Sequence, residues 1–219
     1  MLSRGRASGT PARQHSGVSA RFVGIDLGAT RLHVAVLDDG LRTFTTTAID
    51  EVVDACAGAV TVAIDAPSDP ATGRVHAGDR SAKFAVARCN EIAAGEQLGV
   101  WVPWVTPTHD ASPPWMRTGF ALWQALRFAG HAPIEVYPAG CFWLLNGRRW
   151  PAKKATLEGR AQRIELLAPF VAVDAASSHD AIDSIMAAVV ARGPSRGIAH
   201  GDDGCDDSTM WFLRKHCAL

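Results

Sequence analysis

Four aspartates in this chain fall where metal-dependent phosphoryl chemistry gathers its carboxylates. Asp26 closes the apolar run RFVGID, Asp65 closes VTVAID, and Asp180 and Asp183 open the helical stretch HDAIDSIMAAVVAR. Adjacent parallel strands present side chains at their C-terminal ends. A helix crossing that edge adds two more from one face, because positions i and i+3 are neighbours. Carboxylates gathered in this way repel one another unless a counter-ion is present, and a hard, oxygen-liganded cation such as Mg²⁺ removes that cost. The expectation is a site in which Asp26, Asp65, Asp180 and Asp183 serve both as catalytic residues and as ligands of Mg²⁺ or Mn²⁺, with two ions bound. Capping is the competing explanation. An N-cap at Ser177 or Ser178 with an acidic first turn accounts for Asp180, but it gives no reason for Asp183 among Ile182, Ile185 and Met186.

Other residues are candidate accessories. Glu135 lies inside the apolar segment IEVYPAG, where it must either face the site or pair with an arginine. His179 adjoins Asp180, as a proton relay or as a solvent-facing turn residue. Lys83 and Arg88 in SAKFAVARCNEIAA, with Arg74 and Arg80 before them, are candidates for phosphate contact. Glu91 follows three residues after Arg88 and offers an intrahelical pair instead. Trp101, Trp104 and Trp115 could stack on bases or cover the core beneath them.

The elements that must position these residues can be read from periodicity. FVGID, RLHVAVLDDG and LRTFTTTAI read as strands, with Asp39-Gly40 making a hairpin of the last two. Asp50 is expected to cap a short helix, DEVVDACAGA, before the strand VTVAIDAP. SAKFAVARCNEIAA reads as one helix, and GFALWQALRFAG as another capped by Thr118. PIEVYPAG is expected to be a fifth strand, followed by helices in AGCFWLLNG and TLEGRAQRIELLAPF and a last one starting near Ser178. Beyond Gly193 the chain turns polar and acidic (HGDDGCDDS), and only MWFLRK could pack back as strand or helix. Three antiparallel strands followed by alternating helices and parallel strands predict an α/β layered domain.

Composition narrows the partners. Lysine plus arginine and aspartate plus glutamate each number 22 among 219 residues, so any nucleic-acid contact needs a local basic patch. No uninterrupted apolar run is long enough to span a bilayer, and no membrane partner is expected. The five cysteines are scattered, without a CxxC pair, which argues against a disulfide framework or zinc site and for a reducing, cytoplasmic location. Residues 1–20 lack acidic side chains. They read as a disordered tail, with a transit peptide as the alternative.

GIDLGAT resembles two relatives of one architecture: the phosphate-binding hairpin of sugar kinases and actin-like ATPases, and the first strand of RNase H-like nucleases. GIDLGAT, AIDAP, ARCNEIAAG, GFALWQALRFAG, IEVYPAG and HDAIDSIMAAVVAR also occur in an order that resembles domain-of-unknown-function family 429, a bacterial family regarded as predicted nucleases of RNase H fold. The resemblance implies an RNase H-like domain over residues 21–195, built on a mixed five-stranded sheet with helices on both faces; the polar, acidic extension over 196–219, with its tail HGDDGCDDS, departs from the family. It places Asp26, Asp65, Asp180 and Asp183 at positions like the carboxylates of Holliday-junction resolvases. The expected function is a divalent-metal-dependent nuclease or phosphodiesterase acting on nucleic acid. An actin-like or sugar-kinase-type ATP-binding protein and a non-catalytic interaction domain are the alternatives.

Overall fold

Strand structure begins where the apolar residues do. The computed structural model describes residues 19–76, 81–193, 195–198 and 209–213. In it β1 (Arg21–Leu27) pairs antiparallel with β2 (Leu32–Leu37), and β2 with β3 (Leu41–Thr46). The β2–β3 turn runs through Asp39-Gly40, as that pair predicts. After α1 (Ile49–Ala55), strand β4 (Ala59–Asp65) returns parallel to β1 on its other side, with Asp26 directly opposite Asp65.

The chain continues through α2 (Ala82–Ala85), α3 (Cys89–Leu98), α4 (Pro114–Phe128), β5 (Ile134–Val136), α5 (Pro138–Leu145), α6 (Leu157–Leu167) and α7 (His179–Arg192), and ends in β6 (Ser195–Ile198) and β7 (Met210–Leu213). The strand order is β3-β2-β1-β4-β5-β7-β6. The fold is mixed α/β, and its sheet has seven strands where five were expected. The extra two come from beyond Gly193. MWFLRK supplies the buried strand β7, parallel to β5, while Ser-Arg-Gly-Ile has no period-two pattern and becomes β6 by pairing antiparallel with β7.

Three local expectations are corrected. SAKFAVARCNEIAA is two helices, because Arg88 is extended (φ −67°, ψ 153°) and its backbone N–H is taken by the Glu91 carboxylate at 3.1 Å. Thr118 lies inside α4, which starts at Pro114, where a missing N–H costs nothing. Asp50 lies in the first turn of α1 rather than at its N-cap, which is Ala48. Cys89 is disulfide-bonded, which the scattered cysteines gave no reason to expect, while Cys56 and Cys141 are buried and free. The acidic stretch HGDDGCDDS, Arg80 and most of the N-terminal tail lie outside the described residues. No helix among the described residues is long and apolar enough to cross a membrane.

Side chains alternate across the sheet, so each face has its own core. Val23, Ile25, Val34, Val36, Val62 and Ile64 pack against Val52 of α1 and Leu122, Trp123 and Leu126 of α4. On the other face Ala35, Leu37 and Ala63 meet Ile182, Ile185, Met186 and Val189 of α7. The small residues on this second face let α7 lie against β1 itself, its backbone passing over Gly24. That contact brings the N-terminal turns of α7 to the C-terminal ends of β1 and β4.

Candidate functional site

Asp26 and Asp65 lie on the α7 face of the sheet, one residue beyond the apolar pair Ile25 and Ile64 on the opposite face. Asp183 reaches them from α7. Asp26 and Asp183 are almost wholly buried, at 5% and 3% exposed. Burial is the main cause that raises the pKa of each of the three. The Asp65 and Asp183 charges raise Asp26 further, and the Asp183 charge raises Asp65. Asp26 and Asp65 are in register on adjacent strands, and the Asp65 charge disfavours ionisation of Asp26.

Lys154 completes the cluster, and nothing in the sequence pointed to it. Its Nζ donates to Asp183 Oδ2 at 2.8 Å and stands 3.6 Å from Asp180 Oδ1. Burial works against its charge, but Asp183, Asp26 and Asp180 outweigh that and raise its pKa. Helix α6 holds the loop that carries it. Arg163 Nη1 donates to the Ala152 carbonyl at 2.8 Å, and Gln162 Oε1 accepts the Ala152 N–H at 2.8 Å. A Cβ at Gly159 would lie 2.1 Å from the Lys153 carbonyl oxygen, so only glycine admits this packing. A lysine in an aperiodic Trp-Pro-Ala-Lys-Lys loop gives no signal of its own. Its place depends on α6.

The other predicted residues are placed as follows. Asp180, one turn nearer the start of α7, is more exposed and stands 3.5 Å from His33 Nε2. Lys154 bridges it to Asp183, and its charge also raises the Asp183 pKa. His179 Nδ1 lies 2.6 Å from Asp180 Oδ1 without the angle of a hydrogen bond. Glu135 is in register with Ile64 and pairs with Arg88, whose Nη1 and Nη2 donate to its two oxygens at 2.9 and 2.5 Å. Glu91 also faces Arg88, at 3.4 Å, and accepts the Thr106 hydroxyl at 2.5 Å. Arg88 is therefore an internal brace. Lys83 donates to the Val102 and Pro103 carbonyls and so braces the Trp/Pro segment. Arg74 is exposed on the loop before α2.

Residues 24–203 match the family model described as "Protein of unknown function (DUF429)". The chain belongs to the DUF429 family. The matched DUF429 region contains every member of the cluster, from Asp26 to Asp183, with Lys154 between them. No curated protein and no solved structure matches this DUF429 chain.

The donor chemistry of the DUF429 cluster fits a hard divalent cation. Asp26 Oδ2 and Asp183 Oδ1 are buried without a hydrogen-bond partner, which is costly for carboxylate oxygens. One cation reached by Asp26, Asp65 and Asp183 would satisfy both atoms and displace the proton that burial favours on Asp26. Among the described residues no group of three or more His, Cys, Asp or Glu side chains is placed so that it could hold a metal ion as it stands. Without a cation, Lys154 supplies a counter-charge to Asp183, and burial favours the protonated form of Asp26. A cavity of about 310 Å³ opens beside Asp26, Asp65 and Lys154, and gives this edge of the sheet room for a substrate.

Proposed function

We propose that this protein is a divalent-metal-dependent phosphodiesterase of RNase H-like fold that hydrolyses nucleic acid. The observation that carries the proposal is the convergence of Asp26, Asp65 and Asp183, with two orphaned oxygens, beside an open cavity that Asp26, Asp65 and Lys154 line. Strand order β3-β2-β1-β4-β5, antiparallel across the first three and parallel thereafter, supports the RNase H-like assignment, with β7 and β6 extending its edge. Asp26, Asp65 and Asp183 would hold the cation, which when bound supplies charge neutralisation at the phosphate and an acidified water. Lys154, at the mouth of the cluster, holds a phosphate oxygen by its ammonium. It occupies the place that a second ion between Asp180 and Asp183 would need, so the expected pair of ions becomes one ion and a fixed ammonium. The Arg88–Glu135–Glu91 network keeps the cavity floor rigid and dry.

The test is cleavage of single- and double-stranded DNA and RNA by purified protein with Mg²⁺ or Mn²⁺. Asp26→Asn and a chelator should each abolish it. Cutting by Asp26→Asn at the wild-type rate would sink the assignment.

One observation favours the ATP-binding alternative. A small cavity of about 120 Å³ at the β1–β2 turn is lined by Gly28, Ala29, Thr30 and Arg31, as a phosphate-binding hairpin would be. Tight ATP binding in calorimetry without nuclease activity would select that reading. Binding of neither metal nor nucleotide would leave the non-catalytic interaction domain.

A further inference from the structure

The cavity beside the carboxylates is lined by two chemically different sets of residues. Asp26, Asp65 and Lys154 belong to its charged lining, and Val102, Pro103, Trp104, Trp115 and Met116 to its apolar lining. Trp104 is 79% exposed where it lines this cavity, so its indole face is open to a ligand. Among the described residues neither Trp104 nor Trp115 stacks on another aromatic ring. Lys83 fixes the backbone beneath Trp104 through the Val102 and Pro103 carbonyls, so the indole stands on a braced loop. Two indoles, an apolar lining and a cation-and-carboxylate lining make a slot for a flat ring that carries a phosphate.

We infer that this slot binds an unpaired nucleobase, and that the substrate is a single-stranded or flipped-out nucleotide rather than an intact duplex. The inference rests on the phosphodiesterase reading for the role of the carboxylate lining, but the slot can be tested apart from it. A volume of about 310 Å³ is at the lower bound for pockets that enclose small ligands, which suits one nucleotide unit. The chain's charge is balanced, with 22 basic and 22 acidic residues, so overall charge supplies no grip on either a strand or a duplex, and a duplex keeps its base faces within its own stack. Stacking serves instead, because every base has a π face and sequence need not be read.

The experiment is calorimetric titration of the full chain, in chelator so that no chemistry occurs, with thymidine monophosphate, a thymidine tetranucleotide, an abasic deoxyribose phosphate and a short duplex. The base-bearing single-stranded ligands should bind, with the abasic compound and the duplex at least tenfold weaker. Trp104→Ala should weaken binding by about 5- to 150-fold and Trp104→Phe by much less, as stacking on an aromatic face requires. Trp104 is exposed, so its replacement leaves the core intact; circular dichroism checks this. Tighter binding of the tetranucleotide identifies a strand as the source of the base, and equal binding of the monophosphate identifies a free nucleotide; both support the slot. Equal affinity for the abasic phosphate, preference for duplex, or indifference to Trp104→Ala overturns it. A parallel Mn²⁺ titration separates the two ideas. Nucleotide binding without Mn²⁺ binding keeps the slot and removes the metal reading, while the reverse keeps the metal and removes the slot.

Discussion

A Cβ on Gly24 would lie 2.2 Å from the carbonyl oxygen of Ser184 and 2.1 Å from the nitrogen of Ala188. The obstacle is helix backbone, which cannot rotate away as a side chain would. Gly24 is therefore the point at which α7 rests on β1, and this contact carries Asp183 to Asp26. Gly24→Ala must push the helix off the strand. The expected cost is about 1–3 kcal/mol or more, seen as a lower urea midpoint, together with weaker Mn²⁺ binding because Asp183 moves with the helix.

The buried carboxylates give the metal-free protein a characteristic pH dependence. Asp26 and Asp65 have folded pKa values above those of the unfolded chain, chiefly through burial. The native state then holds protons that the unfolded state has released, so stability is full below about pH 4 and falls as pH rises through the folded values. His33 works in the opposite sense, because burial lowers its pKa. Comparing wild type with Asp26→Asn cancels the His33 contribution. In chelator, Asp26→Asn should be more stable than wild type at pH 8 by about 1–3 kcal/mol, and the gap should close towards pH 4. Saturating Mn²⁺ should stabilise the wild type alone. Urea denaturation at both pH values checks each point.

Much of this site could be read from the sequence, because the informative residues end regular elements. Asp26 and Asp65 terminate apolar runs, and Asp183 sits at helical spacing among apolar neighbours that the N-cap does not explain. The cap at Ser178, which accepts the Ala181 N–H at 3.1 Å, was equally local and equally visible. Lys154, Glu135 and β6 depend on something else. Lys154 is placed by Arg163, Gln162 and Gly159 of another helix. Glu135 left two outcomes open until Arg88, 47 residues earlier, was found to bond to it. Residues 195–198 become a strand only because β7 offers an edge. Contacts between distant segments leave no periodic trace, and a short strand with a glycine and an arginine has no pattern to detect.

The Arg88–Glu135 pair should behave as a buried ion pair. Both side chains are nearly inaccessible, and Glu135 also accepts the Ser68 N–H at 2.9 Å. Removing one partner strands the other charge. Arg88→Met or Glu135→Leu alone is expected to cost about 3–5 kcal/mol, whereas the double replacement should recover much of that loss. A double-mutant cycle in urea measures the coupling. Additive losses would show that each residue acts independently.

Lys154 decides how many cations the site can hold. Its ammonium lies 2.8 Å from Asp183 Oδ2 and 3.6 Å from Asp180 Oδ1, in the space a second ion would share with those oxygens. Lys154→Met keeps the length of the side chain and removes the charge. The first Mn²⁺ should then bind more tightly, by about tenfold if the lost repulsion is on the order of 1.4 kcal/mol, as expected for a partly exposed charge close to the ion. A second Mn²⁺ should appear in the calorimetric stoichiometry, since Asp180 and Asp183 lose the ammonium that bridges them. Nuclease turnover should nevertheless fall, because the phosphate loses its fixed ammonium. Unchanged affinity and a stoichiometry of one in the variant would mean that Lys154 only neutralises Asp183, and that the metal lies on the Asp26–Asp65 side alone.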